Sequence, residues 1–236
     1  MSTTSEQRVQ TPDGAMGAHV ALPASGAGPG IVLIHEIFGV NDYVRDSARR
    51  LADAGYVALA PDLFWRTRPG LDLPNDDAGM AVARAAMQDF DFAAATRDAI
   101  AALAALRELP QCSGGRAGVM GFCLGGTIGW HVAAAGDPDV AVLYYGTAIA
   151  RALDLAERVR SPAIMHWGGA DTIIGREQID AAAAMAAGRD NIECHVHEGA
   201  GHAFDNHRSA RFHVPAASAA AWELTAGFLA RELPVG

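Results

Sequence analysis

Cysteine is scarce: the 236 residues hold three, Cys112, Cys123 and Cys194. So few thiols cannot frame a disulfide-stapled fold, and a reduced, cytoplasmic setting is the simple reading. Long apolar runs are missing too. No stretch reaches the ~20 residues that a membrane span needs. The polar start, Met1 to Gln10, has no basic segment leading into an apolar one, so no secretory signal is expected; residues 1–10 read as a flexible end. Positive charge is in deficit, with a formal net charge of −9. Phosphate contacts need a basic face, which speaks against nucleic acid as a partner, and the same sign disfavours an anionic membrane surface. An anionic small molecule remains allowed, because it responds to local charge.

What is present is apolar bulk. Hydrophobic residues make up 50% of the chain, enough for the core of a single α/β domain over residues 1–236. Short β-type runs alternate with helical patterns. The expected strands are Ala18–Leu22, Gly30–His35, Tyr56–Ala60, Ala117–Gly121, Val140–Tyr145, Ala163–Trp167 and Ile192–His197. Several are nearly continuous Val, Ile, Leu and Ala, the pattern of strands covered on both faces in a parallel sheet. Helices are expected at about Tyr43–Ala54, Asp77–Met87, Phe92–Leu109, Gly125–Ala135, Arg176–Ala187 and Ala216–Arg231, rich in good helix formers. Gly55 and Pro110 supply stop signals. The alternation predicts a mostly parallel, doubly wound sheet flanked by helices. The stretch Phe64–Asp76 reads as an exposed loop beside the site. No repeat or linker divides the chain.

The chemistry gathers at Gly121-Phe122-Cys123-Leu124-Gly125-Gly126. This is Gly-x-nucleophile-x-Gly between a strand and a helix, the context a nucleophile elbow requires. Cys123 would sit on a sharp, strained turn, where side chains two residues away would collide with neighbouring backbone. The helix N-terminus behind it favours thiolate. The alternatives are a buried structural cysteine or a phosphate cradle, although neither strict phosphate fingerprint is present at this turn.

An elbow predicts an acid and then a histidine further along the chain. Asp171 follows the strand Ala163–Trp167 through Gly168-Gly169-Ala170, and His202 follows the strand Ile192–His197 in a small-residue loop. Strand ends are where α/β sites gather. His202 would take the Cys123 proton and return one to the leaving group, and Asp171 would fix the imidazole. Leu124 N–H is the natural first oxyanion donor, with Ile37 N–H, after the strand Ile31–His35, as the second. Glu36 beside it is either a solvated loop carboxylate or a group pointing into the site. In the second case its charge would oppose the thiolate, since like charges raise each other's pKa.

His35-Glu36-Ile37-Phe38-Gly39, Pro61-Asp62-Leu63-Phe64, the cysteine turn, Tyr144-Tyr145-Gly146, Gly168 to Asp171 and Gly201-His202-Ala203-Phe204 together resemble the dienelactone hydrolase (carboxymethylenebutenolidase) family, over roughly residues 10–232. The resemblance implies a monomeric α/β-hydrolase without metal or cofactor, acting on a small lactone or ester through Cys123, His202 and Asp171. It also implies that Glu36 holds the resting cysteine as thiol until substrate displaces it. The family clamps its substrate carboxylate with two arginines. Here the matching segments read Met80-Ala81-Val82-Ala83-Arg84 and Asp205-Asn206-His207-Arg208, with no arginine in clear register. Arg84 and Arg208 are the nearby candidates, and such a clamp is geometrically demanding. Tyr144, Phe38 and Trp65 are candidate site walls, and core packing is the competing reading for Tyr144 and Trp65. His195 with His197, and His202 with Asp205 and His207, lack a strong metal-ligand spacing. Competing functions are a broader carboxylesterase or thioesterase with the same triad, a non-catalytic binding protein, and a nucleotide-binding protein.

Overall fold

The computed structural model describes residues 1–236. Its eight strands form one sheet in the order β1-β2-β4-β3-β5-β6-β7-β8. They span Thr3–Thr11 (β1), Gly14–Leu22 (β2), Gly28–Ile34 (β3), Val57–Pro61 (β4), Cys112–Phe122 (β5), Ala141–Tyr144 (β6), Ala163–Gly168 (β7) and Ile192–His197 (β8). From β4 to β8 every pairing is parallel, while β1 and β2 form an antiparallel hairpin whose second strand pairs antiparallel with β4. The helices are Asp42–Asp53 (α1), Asp77–Ala86 (α2), Phe92–Arg107 (α3), Leu124–Ala135 (α4), Arg176–Ala187 (α5) and Pro215–Glu232 (α6). This is a single-domain, doubly wound α/β fold. No helix is long and apolar enough to cross a membrane.

Burial explains the layering. Every residue of β3, β4, β6 and β7 is buried. At roughly 1.5–3 kcal/mol for each fully buried Val, Leu or Ile, these central strands hold the sheet. The first strand is different. The end expected to be flexible is paired along its whole length with β2, yet only Val9 of β1 is buried. A polar sequence suits an edge strand that should not recruit another chain, so polarity here marks an edge and not a loose end. The stretch 64–76 is likewise anchored. Asp62 accepts from Gly70 N–H at 2.7 Å, Val40 N–H donates to Leu71 and Leu73 N–H to Phe38. Its base is therefore fastened to the segment that follows β3.

Because β3 is followed by β4 on one side and β5 on the other, the sheet reverses its winding between β3 and β5. Crevices at the carboxyl ends of strands open at such points, and the loops after β3, β5, β7 and β8 all end there.

Candidate active site

Cys123 is half-buried and lies between β5 and α4 with φ 53° and ψ −111°. Left-handed backbone at a non-glycine residue is costly and collects at functional sites. Its surroundings enforce the turn. A Cβ at Gly121 would collide with the Gly125 carbonyl, one at Gly125 with the Ile34 carbonyl, and one at Gly126 with the Tyr144 carbonyl. These glycines let the start of α4 sit directly on the ends of β3 and β6. Leu124 is the first residue of α4, so its N–H has no intrahelical partner. Ile37 N–H, in the loop after β3, makes no backbone hydrogen bond.

The loops after β7 and β8 are brought together in the same way. A Cβ at Gly168 would lie 2.5 Å from the carbonyls of Ala200 and Gly201, and Ala170 N–H donates to Ala200 at 2.9 Å. His202 Nδ1 thereby reaches Asp171 Oδ2 at 2.7 Å. The other oxygen of Asp171 accepts from Ile173 and Ile174 N–H at 2.7 and 3.0 Å. Burial works against the Asp171 charge, but the His202 hydrogen bond and those N–H groups hold its carboxyl below the usual range. Nε2 of His202 is buried without a hydrogen-bond partner. Burial also opposes charge on this ring. The charge of an ionised Cys123 and the Asp171 bond outweigh it and push His202 up to about 10, so a thiolate at Cys123 and a protonated imidazole stabilise each other.

Glu36 is 3% exposed. Oε2 accepts from Asn206 Nδ2 at 2.8 Å, while Oε1 is buried without a partner. Burial pushes its carboxyl up to about 7, against the pull of His202 and the Asn206 bond. The preceding residue pins this loop. His35 Nε2 accepts from Leu63 N–H at 3.1 Å, which leaves the proton on Nδ1 to donate to the Glu36 carbonyl at 2.6 Å.

The family model described as "Dienelactone hydrolase family" matches residues 16–233. The chain belongs to the dienelactone hydrolase family. It is a hydrolase acting on ester or lactone bonds. It is 36% identical over 224 residues to a carboxymethylenebutenolidase of Pseudomonas sp. (strain P51), covering 94% of this chain and 93% of that one. A carboxymethylenebutenolidase of Pseudomonas putida is 37% identical over 224 residues, with 94% of each chain covered. Among solved structures, the dienelactone hydrolase from Anabaena variabilis ATCC 29413 superposes with a TM-score of 0.75 at 17% identity, covering 98% of this chain and 99% of that one. At that identity the likeness is one of fold.

The remaining sequence candidates of this dienelactone hydrolase relative scatter. Phe38 lines a groove of about 420 Å³ together with Asn75, Met80, Arg208, Arg211 and Phe212. Arg208 borders that groove, but its Nε and a terminal nitrogen bind Asp46 at 2.7 and 2.5 Å. Arg84 lies exposed in the last turn of α2. Neither arginine is free beside the thiol. Trp65 points elsewhere: Nε1 donates to Asp98 at 2.9 Å, and the ring borders a larger cavity, of about 870 Å³, that touches none of Cys123, His202 and Asp171. Tyr144 turns into the core, where its hydroxyl meets Thr225 at 2.8 Å. The next residue faces the imidazole instead. Tyr145, with φ 38°, packs edge-on to His202 at 5.2 Å, and its hydroxyl is tied through Tyr43 to the buried Asp205. The histidines considered as metal ligands are separately engaged: His197 with His166 at 3.1 Å and His207 with Asp46 at 3.0 Å.

Sequence reasoning missed Asn206, Tyr145 and Asn75 as neighbours of the site. For Asn206 and Tyr145 the signal was adjacency to a motif; for Asn75 it was only membership of the loop Phe64–Asp76.

Proposed function

We propose that this hydrolase opens a small lactone or ester through an acyl-enzyme on Cys123. The single observation behind this reading is the His202–Asp171 bond of 2.7 Å with Nε2 left unpartnered beside a cysteine held in a left-handed turn. Glu36, near 7, takes the thiol proton and becomes a neutral carboxyl that no longer repels the sulfur. The thiolate attacks the carbonyl carbon, and the electron pair of the C=O moves to oxygen, where Leu124 and Ile37 N–H receive it. The tetrahedral centre collapses, the C–O bond to the leaving oxygen breaks, and His202 donates its proton to that oxygen. Water then attacks the thioester, neutral His202 accepts its proton, the thiolate departs, and Glu36 returns its proton to the sulfur. Asp171 holds the imidazole in one tautomer throughout.

On the substrate, a specific observation favours the broader carboxylesterase reading over a dienelactone alone. Arg208 is committed to Asp46 and Arg84 faces solvent, so an uncharged ester fits better than one needing a carboxylate clamp.

The test pairs nitrophenyl acetate with the dienelactone. Intact-protein mass spectrometry of quenched wild type should show an acyl increment that maps to Cys123. Cys123→Ser should keep the fold and lose most activity, because serine is a poorer nucleophile beside a base arranged for a thiol. Full activity in Cys123→Ala would overturn the reading.

A further inference from the structure

Asn206 is wholly buried, and each of its polar groups is engaged. Its N–H donates to the Ala203 carbonyl at 2.9 Å and its carbonyl accepts from Ser209 N–H at 3.0 Å. The side-chain oxygen accepts from Arg208 N–H at 3.2 Å. The side-chain nitrogen donates to Glu36 Oε2 at 2.8 Å and to Asn75 Oδ1 at 3.0 Å. A flipped amide would face the carboxylate with its oxygen and lose all three side-chain bonds, so this network sets the orientation.

The other charged or titratable groups around Glu36 offer no substitute. His202 attracts its charge and Asp205 repels it. Tyr43 and Tyr145 feel the Glu36 charge, and Tyr145 also that of Cys123. Arg50, partly buried, is spent on Asp205 at 3.1 Å. Glu36 therefore receives one neutral hydrogen bond and no ion pair with an arginine. An arginine in that place would hold the carboxylate ionised through a charge-assisted bond. An aliphatic residue would leave it to burial alone and keep it neutral. A single amide sits between these limits.

We propose that Asn206, oriented by Asn75, is the positioning residue that fixes the Glu36 carboxyl and sets when it carries a proton. Asn75 precedes α2 on the rim of the Phe38 groove, so through Asn206 it links the buried glutamate to the protein surface. The inference rests on Glu36 belonging to the reacting site.

The experiment measures two pH profiles between 5 and 10: peptide-resolved alkylation of Cys123 by iodoacetamide, and kcat/KM on nitrophenyl acetate. Wild type should show an inflection near 7 that Glu36→Gln lacks. Asn206→Ala removes a bond to the charged form and should move that inflection up by about one pH unit. Asn75→Ala keeps the donor but loosens its aim, and should move the inflection the same way by less. Should Asn206→Ala fail to fold, the Asn75 variant carries the test. An inflection that vanishes in Glu36→Gln yet stays put in both asparagine variants overturns the role of Asn206 alone. Identical wild-type and Glu36→Gln profiles sink the placement of Glu36 in the site and this inference with it.

Discussion

The loop after β7 and the loop after β3 each bury a carboxylate within reach of the same imidazole, and the two are in opposite condition. Asp171 accepts from His202 Nδ1 and from the N–H groups of Ile173 and Ile174 and is held below the usual carboxylate range. Glu36 accepts from Asn206 alone, leaves one oxygen unpartnered, and is pushed up to about 7. Burial raises both. The difference is donor supply, because hydrogen bonds to the charged form are what offset desolvation. A site that needs one fixed anion and one group able to take a proton near neutrality can obtain both from carboxylates by rationing N–H groups.

Removing the better-satisfied partner should have the largest effect. Asp171→Asn keeps the shape but presents an amide to Nδ1, which favours the wrong tautomer. A fall in kcat/KM of about 10³–10⁴-fold is expected, read by steady-state hydrolysis of a nitrophenyl ester with circular dichroism as the folding control. A loss under tenfold would mean that Asp171 does not orient the base, and the contrast with Glu36 would lose its meaning.

The less-satisfied carboxylate should reveal itself in stability. Its folded-state value, about 7, lies above the 4.5 of an ordinary glutamate. Between those limits the folded protein holds a proton that the unfolded chain has released, so stability falls as pH rises through the window and is fully expressed below it. Relative to Glu36→Gln, which cannot titrate, wild type should lose about 3 kcal/mol between pH 4 and pH 8. Urea unfolding at the two pH values measures this. Parallel curves for the two proteins would show that Glu36 ionises in the fold as it does in water.

How much of this was legible beforehand follows the range of the forces involved. Cys123, Asp171 and His202 stand where glycine-rich turns meet apolar strands, and both signals are local. The other seven strands announced themselves through short β-type runs, with ends differing by a few residues. β1 did not, because an edge strand is polar by need. The Tyr144–Tyr145 pair shows the limit at a single residue: the strand ends at Tyr144, left-handed backbone follows at Tyr145, and which ring meets the imidazole is decided by that one torsion. Asn206 and Glu36 lie 170 positions apart. Their contact depends on the bend at Ala203, also left-handed, and no periodicity encodes it.

The smallest expected effect tests whether an arginine serves Glu36. If none does, Arg208 acts as a surface residue there. Its guanidinium sits on Asp46 with the side chain 48% exposed, and such pairs contribute roughly 0–1 kcal/mol. Arg208→Ala should then change kcat/KM by about threefold or less, and by the same factor for a neutral ester and a carboxylate-bearing lactone. Equality between the two substrates is the informative result, since loss of a carboxylate clamp would penalise only the charged one. A selective loss of a hundredfold on the charged substrate would mean that Arg208 leaves Asp46 when substrate binds. Glu36 would then gain an arginine as a neighbour during turnover, and the contrast between the two carboxylates would describe the resting enzyme only.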